Sequence, residues 1–260
     1  MFESVIVPID GSPRDVRALA VAEAVASQAG TKIDLFKVVL PAQVYEAKRE
    51  IDEVADRLTV AVGRREVITP GDVAEVLAGE QLEHPRSLVC MATHARTGAS
   101  EILLGGIAGE VLRRATRPVL LVGPHVVPPG DLGDVLVCID GSAESERVLA
   151  PAAAWADRMQ GRLWLAQVSP PGGSTSPAEL AQLQRAASHV EDRGVGVEWD
   201  VLHGRDVAHT ILAHAATLPA SIIAMTTHGH TGTRDRLLGS ITMRVAHDAT
   251  VPVLVQRAWR

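Results

Sequence analysis

The sequence predicts an α/β protein made of two tandem doubly wound domains, each a five-stranded parallel sheet flanked by helices. The chain repeats itself, and apolar runs of strand length alternate with amphipathic segments of helix length. Aromatic residues make up only 3% of the 260 residues, so the core must be built from Val, Leu, Ile and Ala. This composition suits buried parallel strands covered by Ala-rich helices, and right-handed crossovers then give a doubly wound, Rossmann-like sheet.

The internal repeat consists of motif pairs that return in the same order. VIVPIDGS at Val5–Ser12 returns as VLVCIDGS at Val135–Ser142. Further along, the segment Leu103–Val122 returns as Leu237–Gln256, and a looser pair, PGDVAEVLA and HGRDVAHTILA, lies in between. Conserved order and nearly constant spacing indicate two homologous halves.

A Pro- and Gly-rich stretch separates the halves. GPHVVPPGDLG has no helical periodicity and is typical of a linker, which we place at residues 124–133. The predicted domains are therefore residues 1–123 and residues 134–260.

Strands and helices alternate within the second half, as judged from apolar spacing and from Pro177 at a helix start. The predicted strands are Val135–Ile139, Leu163–Val168, Val195–Leu202, Ser221–Thr226 and Val251–Val255. The predicted helices are Glu144–Met159, Pro177–Asp192, Asp206–Thr217 and Ser240–Ala249. The first half repeats this order with a shorter region between Leu40 and Glu66.

Charge and cysteine content exclude several classes of protein. The formal net charge is −6 and no basic run occurs, which argues against a nucleic-acid partner. We find no signal peptide and no apolar run of membrane-spanning length, so no membrane association is expected. Cys90 and Cys138 lie in apolar runs and are predicted to be buried free thiols in a reducing cytosol. A cytoplasmic protein follows.

Two loops of the second half carry the candidate chemistry, because doubly wound sheets bind ligands at the carboxyl ends of their strands. Asp140-Gly141-Ser142 follows the first strand. The Asp140 carboxylate is suited to accept a hydrogen bond from a ligand amine, and capping of the next helix is an equally good interpretation.

The second loop follows the fourth strand. Gly229 and Gly239 bracket nine residues, and Ser240 then opens a helix. A helix N-terminus with a nearby glycine is suited to bind phosphate, although an ordinary Gly-rich connection has the same appearance. His228-x-His230 lacks a carboxylate or Cys partner in the sequence, so no metal site is predicted.

Both halves resemble the universal stress protein family, and together they resemble a tandem universal stress protein. The resemblance covers nearly the whole chain. It rests on the V-x-x-D-G-S starts, the G-D/R-x-A segments, the MATHA and MTTHG strand ends, LLGG and LLGS, and the RPVLLV and VPVLVQ strands. It implies the adenine nucleotide alpha hydrolase type of Rossmann-like fold.

Nucleotide-binding members of this family carry Gly, two residues, Gly, nine residues, Gly, then Ser or Thr. In the second half this pattern falls on Thr226, Gly229, Gly239 and Ser240, so three of the four positions fit. Thr226 replaces the first glycine; this is harmful if the position needs positive φ and tolerable if only bulk matters.

The first half keeps less of the pattern, which falls on Ala92, Ala95, Gly105 and Gly106, where only one position fits. Ala95 adds a methyl group where glycine permits close approach, and Gly106 removes a hydroxyl donor. We therefore expect weak or absent nucleotide binding in the first half.

The resemblance implies that the ligand is ATP or a related adenine nucleotide, with or without Mg. The base would face Asp140 and Val168, Thr226 would lie beside the ribose, and the loop glycines and helix start would surround the phosphates. The implied residues of the second half are Ile139, Asp140, Ser142, Val168, Met225, Thr226, His228, Gly229, Gly239, Ser240, Ile241 and Thr242. Their degenerate counterparts are Ile9, Asp10, Val38, Ala92, Ala95, Gly105 and Gly106.

The function expected from these features is that of a nucleotide-binding regulatory module of the stress response. A nucleotide-free scaffold and a slow ATPase are the alternatives; no catalytic residue is predicted, because the sequence shows no positioned base or nucleophile. In the family, the last strands, here Pro118–Val122 and Pro252–Gln256, pair antiparallel between domains. We expect intramolecular pairing of the two halves through these strands, and a homodimer stays an open alternative.

Overall fold

A computed structural model describes residues 2–93, 95–96, 103–104, 106–128, 130–172, 175–227 and 239–258. The strands of the first repeat are β1 (Ser4–Pro8), β2 (Lys32–Val38), β3 (Val62–Ile68), β4 (Ser87–Ala92), the short β5 (Ala95–Arg96) and β6 (Leu103–Leu104), and β7 (Val119–Val122). Its α-helices are α1 (Asp15–Ala29), α2 (Val44–Ala55), α3 (Val73–Glu83) and α4 (Gly106–Arg114), with a 3₁₀ turn at Pro41–Gln43.

The second repeat follows the same order. Its strands are β8 (Val135–Ile139), β9 (Leu163–Ser169), β10 (Val197–His203), β11 (Ile222–Thr226) and β12 (Val253–Gln256). Its α-helices are α5 (Leu149–Met159), α6 (Pro177–Glu191), α7 (Val207–Ala215) and α8 (Ser240–Asp248), with a 3₁₀ turn at Ser145–Val148.

The strand order confirms the predicted fold class. It is β3-β2-β1-β4-β7 in the first repeat and β10-β9-β8-β11-β12 in the second, with all neighbours within a repeat parallel. Strand order reverses beside β1 and beside β8, so each repeat has its switch point between its first and fourth long strands. Ligands bind at this point in doubly wound sheets.

The last strands of the two repeats, β7 and β12, pair antiparallel and join the two sheets into one of ten strands. Val253 lies opposite Leu121, and Val255 lies opposite Val119. Because of this antiparallel joint, the carboxyl ends of the second repeat's strands and the amino ends of the first repeat's strands lie at the same side of the sheet. We call this side the shared edge.

Helices cover both faces of the sheet, and each core runs through both repeats. Helices α1, α2, α5 and α6 contribute to one core, in which Val25 and Ala156 are fully buried. Helices α3, α4, α7 and α8 contribute to the other, in which Leu112 and Val245 are almost fully buried. Aliphatic side chains dominate both cores, in agreement with the composition.

Two helix starts show how local sequence sets the element bounds. Pro177 begins α6 after a capping box in which Ser176 Oγ accepts from Glu179 N at 3.2 Å and the Glu179 carboxylate accepts from Ser176 N at 2.8 Å. In α5 the predicted start at Glu144 is wrong, because residues 145–148 form a 3₁₀ turn. Pro151 has no N–H, so the α-helical bond from residue 151 to residue 147 is not available.

Candidate functional site

The second repeat brings its predicted residues to the carboxyl ends of adjacent parallel strands. In β8 and β9, Ile139 lies opposite Gln167, which places Asp140 beside Val168. Ile139 is buried, Val168 is half-buried and Asp140 is exposed at the edge. The polar group predicted to face a ligand therefore stands above an apolar strand end.

Strand β11 reaches the same edge on the other side of β8. Ala224 pairs with Val137, two residues before Thr226 and Ile139 end their strands. Thr226 is only 5% exposed and lies in extended strand; among the described non-glycine residues, positive φ occurs at Gln160 alone. Thr226 therefore does not need the conformational freedom of glycine, and its side-chain bulk is what separates it from the family pattern.

The turn after β8 is fixed by its own side chains. Asp140 Oδ1 accepts hydrogen bonds from Ser142 N at 3.0 Å and from Ser142 Oγ at 2.6 Å. Gly141 has a φ of +81°, and Gln182 Nε2 donates to its carbonyl. Ser142 Oγ accepts from Ser145 N at 3.1 Å, at the first residue of the following 3₁₀ turn. The exposed Asp140 carboxylate orders the turn at the edge.

The start of α8 is tied to the end of β11. Gly239 N donates to the Thr227 carbonyl at 2.6 Å, and Thr242 Oγ1 donates to the Thr226 carbonyl at 2.8 Å in a buried bond. A Cβ at Gly239 would lie 2.8 Å from the Thr227 carbonyl oxygen, closer than real Cβ contacts. Glycine is therefore required at residue 239 by close approach to the backbone of residue 227, and its contact with a phosphate stays a prediction.

The first amide groups of α8 lie at the switch point. Met243 N makes the first helical bond, to the Gly239 carbonyl at 3.1 Å, so the amides of Ser240, Ile241 and Thr242 precede the helical ladder. Ser240 is exposed, and no acidic residue lies in the first turn. The positive end of the helix dipole is therefore not countered within that turn, which favours an anion.

One ion pair next to this helix uses a helix-capping carboxylate. Asp206 caps α7 by accepting from His209 N at 3.1 Å, and its second oxygen pairs with Arg244 Nη1 at 2.6 Å. The His209 hydrogen bond, followed by the Arg244 guanidinium, lowers the pKa of the Asp206 carboxyl. This pair connects α7 to α8 on the face opposite α5.

Some predicted positions are not brought to the ligand edge or fall outside the description. Met225 pairs with Val255 and is buried in the core below the edge. His228, Gly229 and Gly105 lie outside the described residues. The two pattern glycines among them stay predictions.

The first repeat has the same turn with an additional carboxylate. Asp10 Oδ1 accepts from Ser12 N at 2.7 Å, and Gly11 has a φ of +88°. The Asp15 carboxylate accepts from Asp10 N at 2.9 Å and from Gly11 N at 2.8 Å, where the second repeat has the neutral Ser145 hydroxyl. Burial raises the pKa of Asp15, the Gly11 hydrogen bond lowers it, and the Asp10 charge raises it further.

Asp15 is a residue that the sequence analysis missed. Its signal is present in the motif alignment, because Asp15 and Ser145 each lie five residues after the motif aspartate. Near the strand ends Ile9 is buried, Val38 is half-buried and Asp10 is exposed.

The helix start of the first repeat differs as the sequence predicted. Gly106 begins α4, is exposed, and offers no side chain where Ser240 has a hydroxyl. Ala92 ends β4, and Ala95 pairs with Leu104 in the short β5–β6 ladder. The first repeat thus combines an added carboxylate with a missing hydroxyl donor.

Metal-binding groups are sparse among the described residues. The group of three His, Asp or Glu side chains close enough to share an ion is Glu80, Glu83 and His84, around the end of α3. These three side chains belong to the first repeat and are not among the residues predicted to bind a nucleotide. Within the same part of the chain, no helix is long and apolar enough to cross a membrane.

The fold defines a class: a tandem doubly wound α/β protein with a strand switch point in each repeat. The family model of the Universal stress protein family matches residues 1–123 and 132–257. The chain belongs to the universal stress protein family.

The chain is similar to individual proteins and solved structures. Universal stress protein Rv2005c of Mycobacterium tuberculosis is 30% identical over 191 residues, which cover 68% of this chain and 64% of the relative, so just under two thirds of that protein is matched. The crystal structure of a universal stress protein from Archaeoglobus fulgidus covers 98% of this chain and 96% of its own, with a TM-score of 0.74 and 22% identity. A universal stress protein solved in complex with cAMP covers 50% of this chain and 99% of its own, with a TM-score of 0.43 and 23% identity.

Proposed function

We propose that this chain is a regulatory stress-response protein that binds ATP or a related adenine nucleotide at the carboxyl edge of its second repeat. The observation that carries the proposal is the start of α8, which two hydrogen bonds hold against the end of β11 beside the Asp140 turn. Three helix-terminal amides, at residues 240–242, then lie at the switch point, where a phosphate fits both the dipole and the donors.

The remaining parts of the nucleotide follow from the order of the strands. Asp140 and Val168 stand side by side and offer a polar and an apolar group to the base. Thr226 borders the ribose, where its extended backbone needs no glycine and its side chain narrows the space. Mg would be held by the phosphates of the nucleotide. The residues at this site supply no group of metal ligands, because the candidate group of the described residues lies around the end of α3.

The first repeat is proposed to bind nucleotide weakly or not at all. Asp15 adds a second carboxylate to the turn that carries Asp10, and an anionic ligand at this turn would be repelled by both. Gly106 contributes an amide but no hydroxyl at the helix start. We therefore expect one nucleotide per chain.

The test is calorimetric titration of the full chain with ATP, with Ser240→Ala as the first variant. Ser240 is exposed, so its truncation leaves the core intact and removes one hydroxyl donor to a charged oxygen. We expect affinity to fall by about tenfold, the size of a charge-assisted hydrogen bond. Gly106→Ala is the matched control in the first repeat, where no atom lies within 4 Å of the added Cβ, and it should bind as the wild type does.

A second variant tests the glycine. Gly239→Val places a branched side chain 2.8 Å from the Thr227 carbonyl and should abolish binding, with circular dichroism as the check on folding. Two equal sites per chain, or an affinity lowered by Gly106→Ala and not by Ser240→Ala, would refute the assignment.

The alternative is a nucleotide-free scaffold, which the changed edge of the first repeat favours. Wild-type protein that binds no adenine nucleotide would support it. Slow ATP turnover would fit nucleotide binding and is not itself evidence of an enzyme.

The proposal also includes a reducing, cytoplasmic location and pairing of the two repeats within one chain, with domain bounds at 1–123 and 134–260.

A further inference from the structure

A second concave surface lies where the two repeats meet. It is a half-open cleft of about 1310 Å³ formed by residues of both repeats at the shared edge. The amino ends of β4 and β7 and the carboxyl end of β12 lie along its base, and α3 and α5 contribute walls. We call it the joint cleft.

The joint cleft is strongly basic in a chain whose net charge is −6. Among the described residues its lining includes Arg86, Arg117, Arg147 and Arg257 and no Asp, Glu or Lys. Arg86 pairs with Glu3 at 2.7 Å, both side chains being largely exposed. Within the described part of the chain, the other three arginines have no ion-pair partner.

Strand register brings two of these arginines to neighbouring strand ends. Val255 of β12 lies opposite Val119 of β7, the last pair at this end of the antiparallel joint. Arg257 follows β12 and Arg117 precedes β7, each two residues beyond that pair. Arg86 comes just before β4, the neighbour of β7 on its other side. Like charges at close range repel one another, and a bound anion would relieve this repulsion.

A buried side chain fixes the turn that carries Arg117. Gln81 is 1% exposed, and its Oε1 accepts from Thr116 N at 3.0 Å and from Arg117 N at 3.3 Å. Its Nε2 donates to the carbonyls of Arg117 and Pro118, each at 3.4 Å. The backbone of this arginine is thus held in place before any ligand arrives, which lowers the entropic cost of binding.

The rest of the lining is largely apolar. Phe2 of the first repeat and Trp155 of the second contact each other with ring centroids 5.7 Å apart. Leu82, which is 66% exposed, stands on the α3 wall, and Pro151 stands on the α5 wall. An inorganic ion alone would leave this apolar surface in water.

We propose that the joint cleft binds a ligand with a doubly charged phosphate head on an apolar body, such as the phosphate monoester of an aromatic alcohol. Arginine forks pair bidentately with phosphate oxygens, and several unpaired guanidinium groups match a charge of two better than a single carboxylate. The apolar walls accommodate the body of the ligand. This site uses residues other than those proposed to bind the nucleotide, and it does not depend on the function proposed above.

The test uses 1-naphthyl phosphate, with inorganic phosphate and 1-naphthol as probes of head and body alone. Titration of the full chain should show naphthyl phosphate binding at least tenfold more tightly than either, with affinity that falls as salt rises. The double variant Arg117→Gln/Arg257→Gln should bind at least tenfold more weakly. Its thermal midpoint should equal or exceed that of the wild type, because the substitution removes the repulsion.

Two control variants test whether the probe binds through the overall charge of the protein or at the proposed nucleotide site instead. Arg14→Gln/Arg17→Gln removes two exposed arginines at the opposite edge of the sheet and should leave binding unchanged. Ser240→Ala should also bind naphthyl phosphate as the wild type does. Wild-type protein that does not bind the probe, or equal affinity in the Arg117→Gln/Arg257→Gln variant, would overturn the proposal. If inorganic phosphate bound as tightly as naphthyl phosphate, the proposed contact between the apolar walls and the body of the ligand would be refuted.

Discussion

Gly123 offers a direct test of how the two repeats pack. It follows β7 of the first repeat, and a Cβ at this position would lie less than 3.0 Å from the Ala246 carbonyl oxygen and 3.3 Å from that of His247. Both carbonyls belong to the last turn of α8 in the second repeat. Real Cβ atoms essentially never come within 3.0 Å of another heavy atom, so Gly123→Ala must displace either β7 or α8.

The displaced elements have little freedom to yield. Ala246 and Val122, the residues beside this contact, are buried in the two opposite cores. Overpacking of this kind costs about 1–3 kcal/mol. In a chain of this size about 1 kcal/mol lowers the thermal midpoint by about 2 °C, so Gly123→Ala should lower it by about 2–6 °C in scanning fluorimetry or calorimetry.

Gly130→Ala, in the linker that follows, is the matched control. No atom lies within 4 Å of the Cβ it adds, and its φ lies outside the left-handed region. The substitution should leave the midpoint unchanged or raise it, because an alanine at a compatible position stabilises by about 0.4–1 kcal/mol through the unfolded chain. A Gly123→Ala protein that melts with the wild type, or with Gly130→Ala, would refute the packing of β7 against α8.

The other predictions concern titratable groups. Burial raises the pKa of Cys90 and of Cys138 to about 12, so neither thiol should react with a thiol reagent at pH 8 in the folded protein, and both should react in denaturant; a native thiol that reacts at once contradicts their burial. Burial also raises the pKa of Asp15, so its contribution to stability is present at low pH and is lost as the pH rises through that value. The midpoint of Asp15→Asn relative to wild type should therefore increase as the pH rises above the ordinary aspartate pKa of about 3.9, and a decrease would contradict the sign of the shift.

Much of the fold could be predicted because its signals are local or repeated. Strand β8 has the predicted bounds, and α6 begins at Pro177 behind its capping box as expected. The start of α5 could not be read from apolar spacing, because Pro151 changes the hydrogen bonding of the preceding turn without changing the pattern of apolar residues. The spacing of apolar residues indicates which side chains face the core, but not which backbone amides can donate a helical hydrogen bond.

The candidate site could be predicted where its residues lie in the repeated motifs at the strand ends. Ile139, Asp140, Val168 and Thr226 come together because parallel strands end at one edge. The conformation of Thr226 could not be decided in advance, since the sequence shows a missing glycine but not the φ at that position.

The joint cleft could not be predicted from sequence, because it depends on the register between distant strands. Arg117 and Arg257 line one cleft only because β7 and β12 are paired antiparallel. Neither residue belongs to a basic run, and neither repeat contains the cleft by itself. A sequence search for charge clusters would therefore pass over the cleft, although four arginines line it in the described part of the chain.

Hydrogen bonds of Thr227 link the joint cleft to the proposed nucleotide site at the end of β11. Its carbonyl accepts from Gly239 N, its amide donates to the Gln256 carbonyl at 3.0 Å, and its hydroxyl accepts from Ala258 N at 3.1 Å. Gln256 and Arg257 line the joint cleft, so one threonine holds both the start of α8 and the end of β12. The antiparallel joint makes this connection short, because it brings the carboxyl ends of the second repeat's strands to the same side as the amino ends of the first repeat's strands. A tandem chain thereby gains a surface that a single repeat does not have, next to the nucleotide site proposed for the second repeat.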